Sequence, residues 1–169
     1  IGTSHKKIKN TIRNWDVTSL QAGTPLVETI TEAWRYLTGD EISYANLVDP
    51  VERDTSIEQS GKHISPFKQY SGDPIRCDNS VNIILMTDGE PYWDVDQDDY
   101  IKRLYKSIYG TEPEAVAKSH LPSMATIFHG KKNENRDIYP ETSVVDGANV
   151  YTIGFGKGLV KKAGDILQA

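Results

Sequence analysis

Apolar positions along the chain fall into short blocks whose spacing switches between helical and strand periods. Ile8, Ile12 and Trp15 recur at helical spacing and predict a short amphipathic helix near residues 5–14. Gly23-Thr24-Pro25 then supplies a helix start, with Thr24 as the cap and Pro25 at the first helical position. Leu26, Ile30, Ala33 and Leu37 share one apolar face of that helix, and Gly39 is placed to end it. On the same segment Glu28, Glu32 and Arg35 read as an exposed face with local ion pairing.

Residues 40–80 carry no sustained periodicity and are punctuated by Asp49-Pro50, Ser65-Pro66 and Gly72-Asp73-Pro74. A stretch of that length inside a compact domain is expected to be a functional loop or a small subdomain. Val81-Asn82-Ile83-Ile84-Leu85-Met86-Thr87 is a nearly continuous apolar run, the pattern of a parallel strand buried on both faces, and Asp88-Gly89-Glu90-Pro91 ends it abruptly. Ile101, Leu104, Tyr105 and Ile108 predict another helix, capped by the aspartates before it. Val116, Leu121, Met124, Ile127 and Phe128 predict a further helical stretch, with Pro122 a candidate break. Val150-Tyr151-Thr152-Ile153 reads as a second buried strand, and Leu159, Val160, Ala163 and Ile166 as a closing helix. Strands that alternate with helices, with no hairpin signal between them, predict an α/β fold whose parallel sheet is covered on both faces.

Composition narrows the function classes. The 169 residues suit one domain with a real core, and 37% hydrophobic and 25% charged residues describe a globular chain. A net charge of -5 with dispersed lysines and arginines argues against a nucleic-acid footprint. The strongest apolar run is strand-sized, so no direct membrane insertion is expected. Nothing at the start reads as a signal peptide, and Ile1 is expected to be a cut point in something longer. The single cysteine, Cys77, excludes an internal disulfide framework; it is either a free thiol or the partner of a cysteine elsewhere.

In open parallel sheets, ligands gather at the carboxyl ends of strands, where loops and helix N-termini converge. Asp88 follows directly on a strand and Thr24 stands at a helix start. A carboxylate and a hydroxyl are hard oxygen donors that suit Mg²⁺ in an octahedral shell with several waters. Taken singly, each has a plainer role, Thr24 as a helix cap and Asp88 as a turn former.

Gly23-Thr24-Pro25-Leu26 followed by a helix, then Ile84-Leu85-Met86-Thr87-Asp88-Gly89-Glu90-Pro91, resembles the second and third metal-site motifs of von Willebrand factor A domains. More narrowly, the combination resembles the A domain of the PilY-type family of type IV pilus tip adhesins and pilus biogenesis proteins. Glu32-Ala33-Trp34-Arg35-Tyr36-Leu37, Ser65-Pro66 upstream of Cys77, and Tyr151-Thr152-Ile153-Gly154-Phe155-Gly156 fit the same pattern. The resemblance runs from about Gly23 to the end of the chain.

That resemblance implies a three-layer, Rossmann-like α/β domain with a mostly parallel central sheet flanked by helices. The 40–80 insertion lies within this single, partial domain, and the first strand or strands are expected upstream of Ile1. It implies no enzyme, but an adhesion module in a pilus-associated surface protein, exported through the periplasm to the cell surface. Thr24 and Asp88 would hold Mg²⁺, Mn²⁺ or Ca²⁺, and a carboxylate of a protein partner would complete the coordination. A host receptor, a matrix protein or a minor pilin would be such a partner. The family's opening Asp-x-Ser-x-Ser is absent here: Asp16-Val17-Thr18-Ser19 and Asp54-Thr55-Ser56 lack both the full pattern and a preceding buried strand. The cofactor is therefore expected only if that segment lies upstream. Residues 40–80 and 91–99 are the expected rim of the site.

Two alternatives stand beside this reading. One is a structural or pilus-assembly A domain with a degenerate metal site. The other is a nucleotide-binding enzyme, for which Gly154-Phe155-Gly156-Lys157-Gly158 has its third glycine one place early. Asp94, Asp96 and Asp98 alternate as in a calcium loop, but Asp99 and Tyr105 stand where that loop needs Gly and Glu, so an acidic helix start is expected instead. The four histidines show no metal-ligand spacing, and His120 and His129 are expected to face solvent or a helix flank. Tyr92, Trp93 and Tyr100 are either core or an aromatic contact patch beside the metal loop.

Overall fold

A computed structural model of the chain describes residues 25–47, 53–67, 80–88, 97–116, 119–129 and 147–155. The helix expected near residues 5–14, Thr24, Cys77, Tyr92, Trp93 and the closing helix after Gly158 lie outside the described residues. Within them the chain forms a mixed α/β fold with helices packed on a parallel strand pair. No described helix is long and apolar enough to cross a membrane.

Helix α1, Leu26–Thr38, begins and ends where its flanking residues dictate. The Pro25 carbonyl accepts the Thr29 N–H at 3.0 Å, which makes Pro25 the boundary residue and places the first helical position one residue later than expected. At the other end Gly39 adopts φ 70°, the left-handed region a side chain resists. The Gly39 N–H reaches the Tyr36 carbonyl at 3.4 Å and the Asp40 N–H reaches the Arg35 carbonyl at 2.9 Å, a Schellman closure. Leu26, Val27, Ile30, Trp34 and Leu37 are buried along its length.

Helices α2, Asp98–Tyr109, and α3, Leu121–His129, pack against each other, and α3 also packs against α1. Gln97 stands at the boundary of α2, so Asp98 and Asp99 lie in its first turn, one step inside the capping position expected for the aspartates. Pro122 is the second residue of α3, where the missing N–H removes no helical bond; it opens the helix and does not break it. Val116 falls outside α3 and bridges to Ser119.

Strand β3, Ser80–Thr87, pairs in parallel with β4, Gly147–Gly154, with Ser80 opposite Gly147 and Thr87 opposite Gly154. Parallel neighbours need a crossover, and the intervening chain supplies it with α2 and α3. Leu85 and Ala148 are buried, while Val81, Ile83 and Val150 pack against the core formed with α1, α2 and α3. Trp34 of α1 meets Phe128 of α3 edge to face, with ring centroids 5.3 Å apart. Burying side chains of this size stabilises the fold by about 1.5–3 kcal/mol each.

The expectation that both strands are buried on both faces is corrected. Alternate residues of a strand point to opposite faces, and the described helices cover only the face that carries Val81, Ile83 and Leu85. On the other face Ile84 is 61% exposed, Met86 60%, Tyr151 54% and Ile153 45%.

The long insertion holds its own small elements. Two short 3₁₀ turns, Tyr44–Leu47 and Thr55–Ile57, precede a hairpin of β1, Glu58–Gln59, and β2, Lys62–His63. Ser60 at φ 52° and Gly61 at φ 76° make the tight two-residue turn that such a hairpin favours. The absence of hairpins expected from the sequence is thereby corrected for this segment.

Candidate metal centre and its surroundings

Asp88 follows the last residue of β3 and is exposed, while Thr87 before it is buried. The Phe155 N–H donates to the Thr87 carbonyl at 2.9 Å, carrying the parallel ladder one step past the strands. The Asp88 carboxylate thus stands at the carboxyl edge of the pair, level with an exposed Phe155. An exposed carboxylate on a rigid strand end can donate to a hard cation directly or through water. Thr24, its expected companion, lies just outside the described residues, while the helix that follows Thr24 is in place. Among the described residues no group of three His, Cys, Asp or Glu side chains is arranged to hold a metal.

Comparison of the chain with protein-family models, curated proteins and solved structures found no match.

The polar face of α1 differs from expectation. Glu28, Glu32 and Arg35 do not form an exposed face, because the insertion and the other helices close over them. Glu28 is only 3% exposed. Glu32 accepts the Tyr44 N–H at 2.8 Å and the Ser43 N–H at 3.3 Å, and its Oε1 lies 2.6 Å from Nε2 of the buried His63. Tyr36 packs edge-on to the same imidazole, with centroids 5.8 Å apart. Two further bonds fasten the insertion: the His63 N–H to the Asp40 carbonyl at 3.0 Å, and Ser65 Oγ to the Leu37 carbonyl at 2.6 Å. A single carboxylate on α1 therefore ties together Ser43, Tyr44 and His63 of a segment that carries no periodic signal.

Arg35 lies 4.0 Å from the centre of the Tyr100 ring and 3.8 Å from the Asp40 carboxylate. Burial pushes the Tyr100 phenol up to about 12. Of the two roles left open for Tyr100, the structure favours packing: its ring sits against the core and under the guanidinium.

His120 also departs from expectation. It is 6% exposed, not solvent-facing, and stands immediately before α3, where its carbonyl accepts the Met124 N–H at 3.3 Å. His129, at the far end of α3, is exposed as expected. Asp98 in the first turn of α2 is held above the usual carboxylate range, chiefly by burial, with Asp99 and Glu28 adding to the effect and His120 and Lys102 opposing it. A helix start ordinarily favours a carboxylate by a few tenths to about 1 kcal/mol; here loss of hydration outweighs it.

Asp54, one of the near-matches to the absent motif, caps the 3₁₀ turn Thr55–Ile57. Its carboxylate accepts both the N–H and the hydroxyl of Ser56, which lower its pKa. That employment is structural. Sequence reasoning missed Glu32 and His63 as a pair, since 31 residues separate them; the only nearby signal was the Ser60-Gly61 turn that returns β2 toward α1.

Proposed function

We propose that this chain is a divalent-cation-dependent protein-binding module of the von Willebrand A kind, belonging to a type IV pilus-associated surface protein. The observation that carries the reading is Asp88, exposed at the carboxyl end of a strand paired in parallel, within Thr87-Asp88-Gly89-Glu90-Pro91. The helix that starts at Leu26, two residues after Thr24, supports it, because the same order of segments defines the resembling family. In this reading the fold is the three-layer Rossmann-like domain, in which further strands extend the β3–β4 pair and a layer that the described residues do not supply covers the exposed face of Ile84 and Met86. Thr24 and Asp88 hold Mg²⁺, or Mn²⁺ or Ca²⁺, together with an Asp-x-Ser-x-Ser segment supplied from upstream. The cation leaves one position for a carboxylate of the partner, a host receptor, matrix protein or minor pilin at the cell surface. The chemistry is adhesion without turnover: the cation supplies a strict electrostatic anchor and the surrounding loops supply selection.

A second reading, an assembly domain with a degenerate site, is favoured by one specific observation. No Asp-x-Ser-x-Ser occurs in the 169 residues, and Thr24 with Asp88 are too few ligands alone. The discriminating experiment compares wild type with Asp88→Ala in the full-length protein. A Mg²⁺-induced rise in melting temperature and cation-dependent partner capture, both lost in Asp88→Ala, support adhesion. Equal behaviour of the two proteins with and without cation overturns it and leaves the assembly role.

A further inference from the structure

We propose that Asp40, with Arg35 and Tyr100, forms a clasp through which the root of the insertion and the first turn of α2 open as one unit. The clasp stands on direct contacts and does not depend on the adhesion reading; only its consequence for the Asp88 edge does.

Asp40 follows Gly39 directly, at the point where α1 ends and the insertion begins. Its polar groups are all in use, and they reach different parts of the chain. Its N–H donates to the Arg35 carbonyl at 2.9 Å, its carbonyl accepts the His63 N–H at 3.0 Å, and its Oδ1 accepts the Glu41 N–H at 2.8 Å. Oδ2 accepts the Tyr100 hydroxyl at 3.4 Å and lies 3.8 Å from Nη1 of Arg35. The guanidinium closes the loop: Nη1 donates to the Glu41 carbonyl at 3.3 Å, and Cζ stands 4.0 Å from the centre of the Tyr100 ring. The Trp34 indole also donates to the Tyr100 hydroxyl. The end of α1, the start of the insertion, β2 and α2 thus meet at one residue.

The clasp is built to yield. Hydroxyl bonds centre near about 2.7–2.8 Å, so the Tyr100 bond is a weak one, and Nε of Arg35 has no hydrogen-bond partner among the described residues. The Asp40 side chain is 42% exposed, so water can replace its partners. Val27, Met124 and Phe128, by contrast, are fully buried in the core. Contacts of the first kind open in local fluctuations that leave a core folded. The carbonyl and the carboxylate of Asp40 belong to one tight turn, so loss of the Tyr100 contact is felt at the His63 N–H, and loss of the His63 bond is felt at α2. Because α2 is the first described helix after Asp88, events at that strand edge reach the insertion through this residue.

The test is residue-resolved amide exchange by NMR in the whole chain, followed through low urea concentrations. The His63 amide reports the insertion, and the Ile101 amide, bonded to the Gln97 carbonyl at 3.0 Å, reports the first turn of α2. In wild type the two are expected to show matching protection and the same weak urea dependence, both exchanging faster than Phe128 in α3. Tyr100→Phe removes one hydroxyl and keeps the ring; it should speed both amides by about 2- to 10-fold, the effect of one hydrogen bond of ordinary strength. Asp40→Ala should speed Ile101 although the substitution lies in another element, and the double variant should fall short of the product of the two single effects. A Tyr100→Phe protein in which Ile101 accelerates and His63 does not overturns the proposal. So do two amides that open only together with Phe128. Should Asp40→Ala fail to fold, wild type and Tyr100→Phe still decide. Mg²⁺ added to wild type reads the consequence at the Asp88 edge: equal slowing of both amides, lost in Tyr100→Phe, supports it. A Mg²⁺-induced rise in melting temperature with His63 unchanged overturns that consequence and leaves the adhesion reading standing, whereas no response to Mg²⁺ at all counts against the adhesion reading and not against the clasp.

Discussion

Replacing Glu32 by alanine tests the most specific long-range contact in the fold. In the intact protein one carboxylate receives the Ser43 and Tyr44 N–H groups and the His63 imidazole. Truncation strands all three. The imidazole is the costliest, because the His63 side chain is 6% exposed and water cannot readily replace the carboxylate; a buried polar atom left unpaired costs about 1–3 kcal/mol. Ser43 and Tyr44 are half-buried, so water recovers part of their loss, leaving about 0.5–1 kcal/mol each. The expected sum is about 2–5 kcal/mol, or about 4–20 °C in melting temperature for a chain of this length. The locus of the damage is as informative as its size. Amide exchange should accelerate from Ile42 to Ser65 before it does in β3 or α3, because the insertion loses its anchor while the core keeps its packing. Glu32→Gln retains one carbonyl oxygen and should lose about half as much. A double-mutant cycle with His63→Ala should return a coupling of about 1 kcal/mol or more. A melting shift under about 2 °C, with exchange in the insertion unchanged, would refute the claim that Glu32 fastens it.

Other substitutions probe separate links. Gly39→Ala and Gly110→Ala both force a side chain into the left-handed region, φ 70° and 76°, at about 1–2 kcal/mol each. Only Gly39 places the new Cβ against a neighbour, 3.4 Å from Ser65 Cβ, so chemical denaturation should find it the costlier of the two. Met124→Ala, at a fully buried position, should lower the unfolding free energy by about 2–5 kcal/mol in the same assay. Ultraviolet titration should show one phenol ionising near pH 12, absent in Tyr100→Phe. Because that phenol is raised in the folded state, its stabilising contribution is complete below its unfolded pKa of about 10 and fades as pH climbs through the folded value.

The bounds of α1 and β3 were legible to within a residue because their signals are local, whereas only Val150–Ile153 of β4, Gly147–Gly154, carried such a signal. Pro25 and Gly39 act on their own backbone, and an apolar run such as Ile83-Ile84-Leu85-Met86 identifies a strand whatever lies around it. The degree of covering is not local. Ile84 and Leu85 are equally apolar neighbours, yet one is 61% exposed and the other 7%; only the position of the helices separates them. Hairpin β1–β2 escaped because strands of two residues have no period to detect, and the Ser60-Gly61 turn was its sole trace.

The polar residues of α1 make the same point more sharply. Glu28, Glu32 and Arg35 recur at helical spacing, and that pattern is identical for a face turned to water and for one supplied with partners from elsewhere. What decides is the identity of those partners, and these arrive from the insertion and from α2. Hence Glu32 meets His63, Arg35 meets Tyr100, and Glu28 feels Asp98. None of these pairings could be anticipated from periodicity, because each closes a loop whose length bears no relation to 3.6 residues. Asp88 belongs to the opposite case. Its place is set by the strand immediately before it, which ends where the sequence says it should, so the candidate metal ligand was legible while the buried carboxylates were not. A charged side chain is therefore most safely assigned to a site when a local element delivers it to an edge, as β3 delivers Asp88. It is least safely assigned to solvent when an unpatterned insertion follows, as residues 40–67 follow α1.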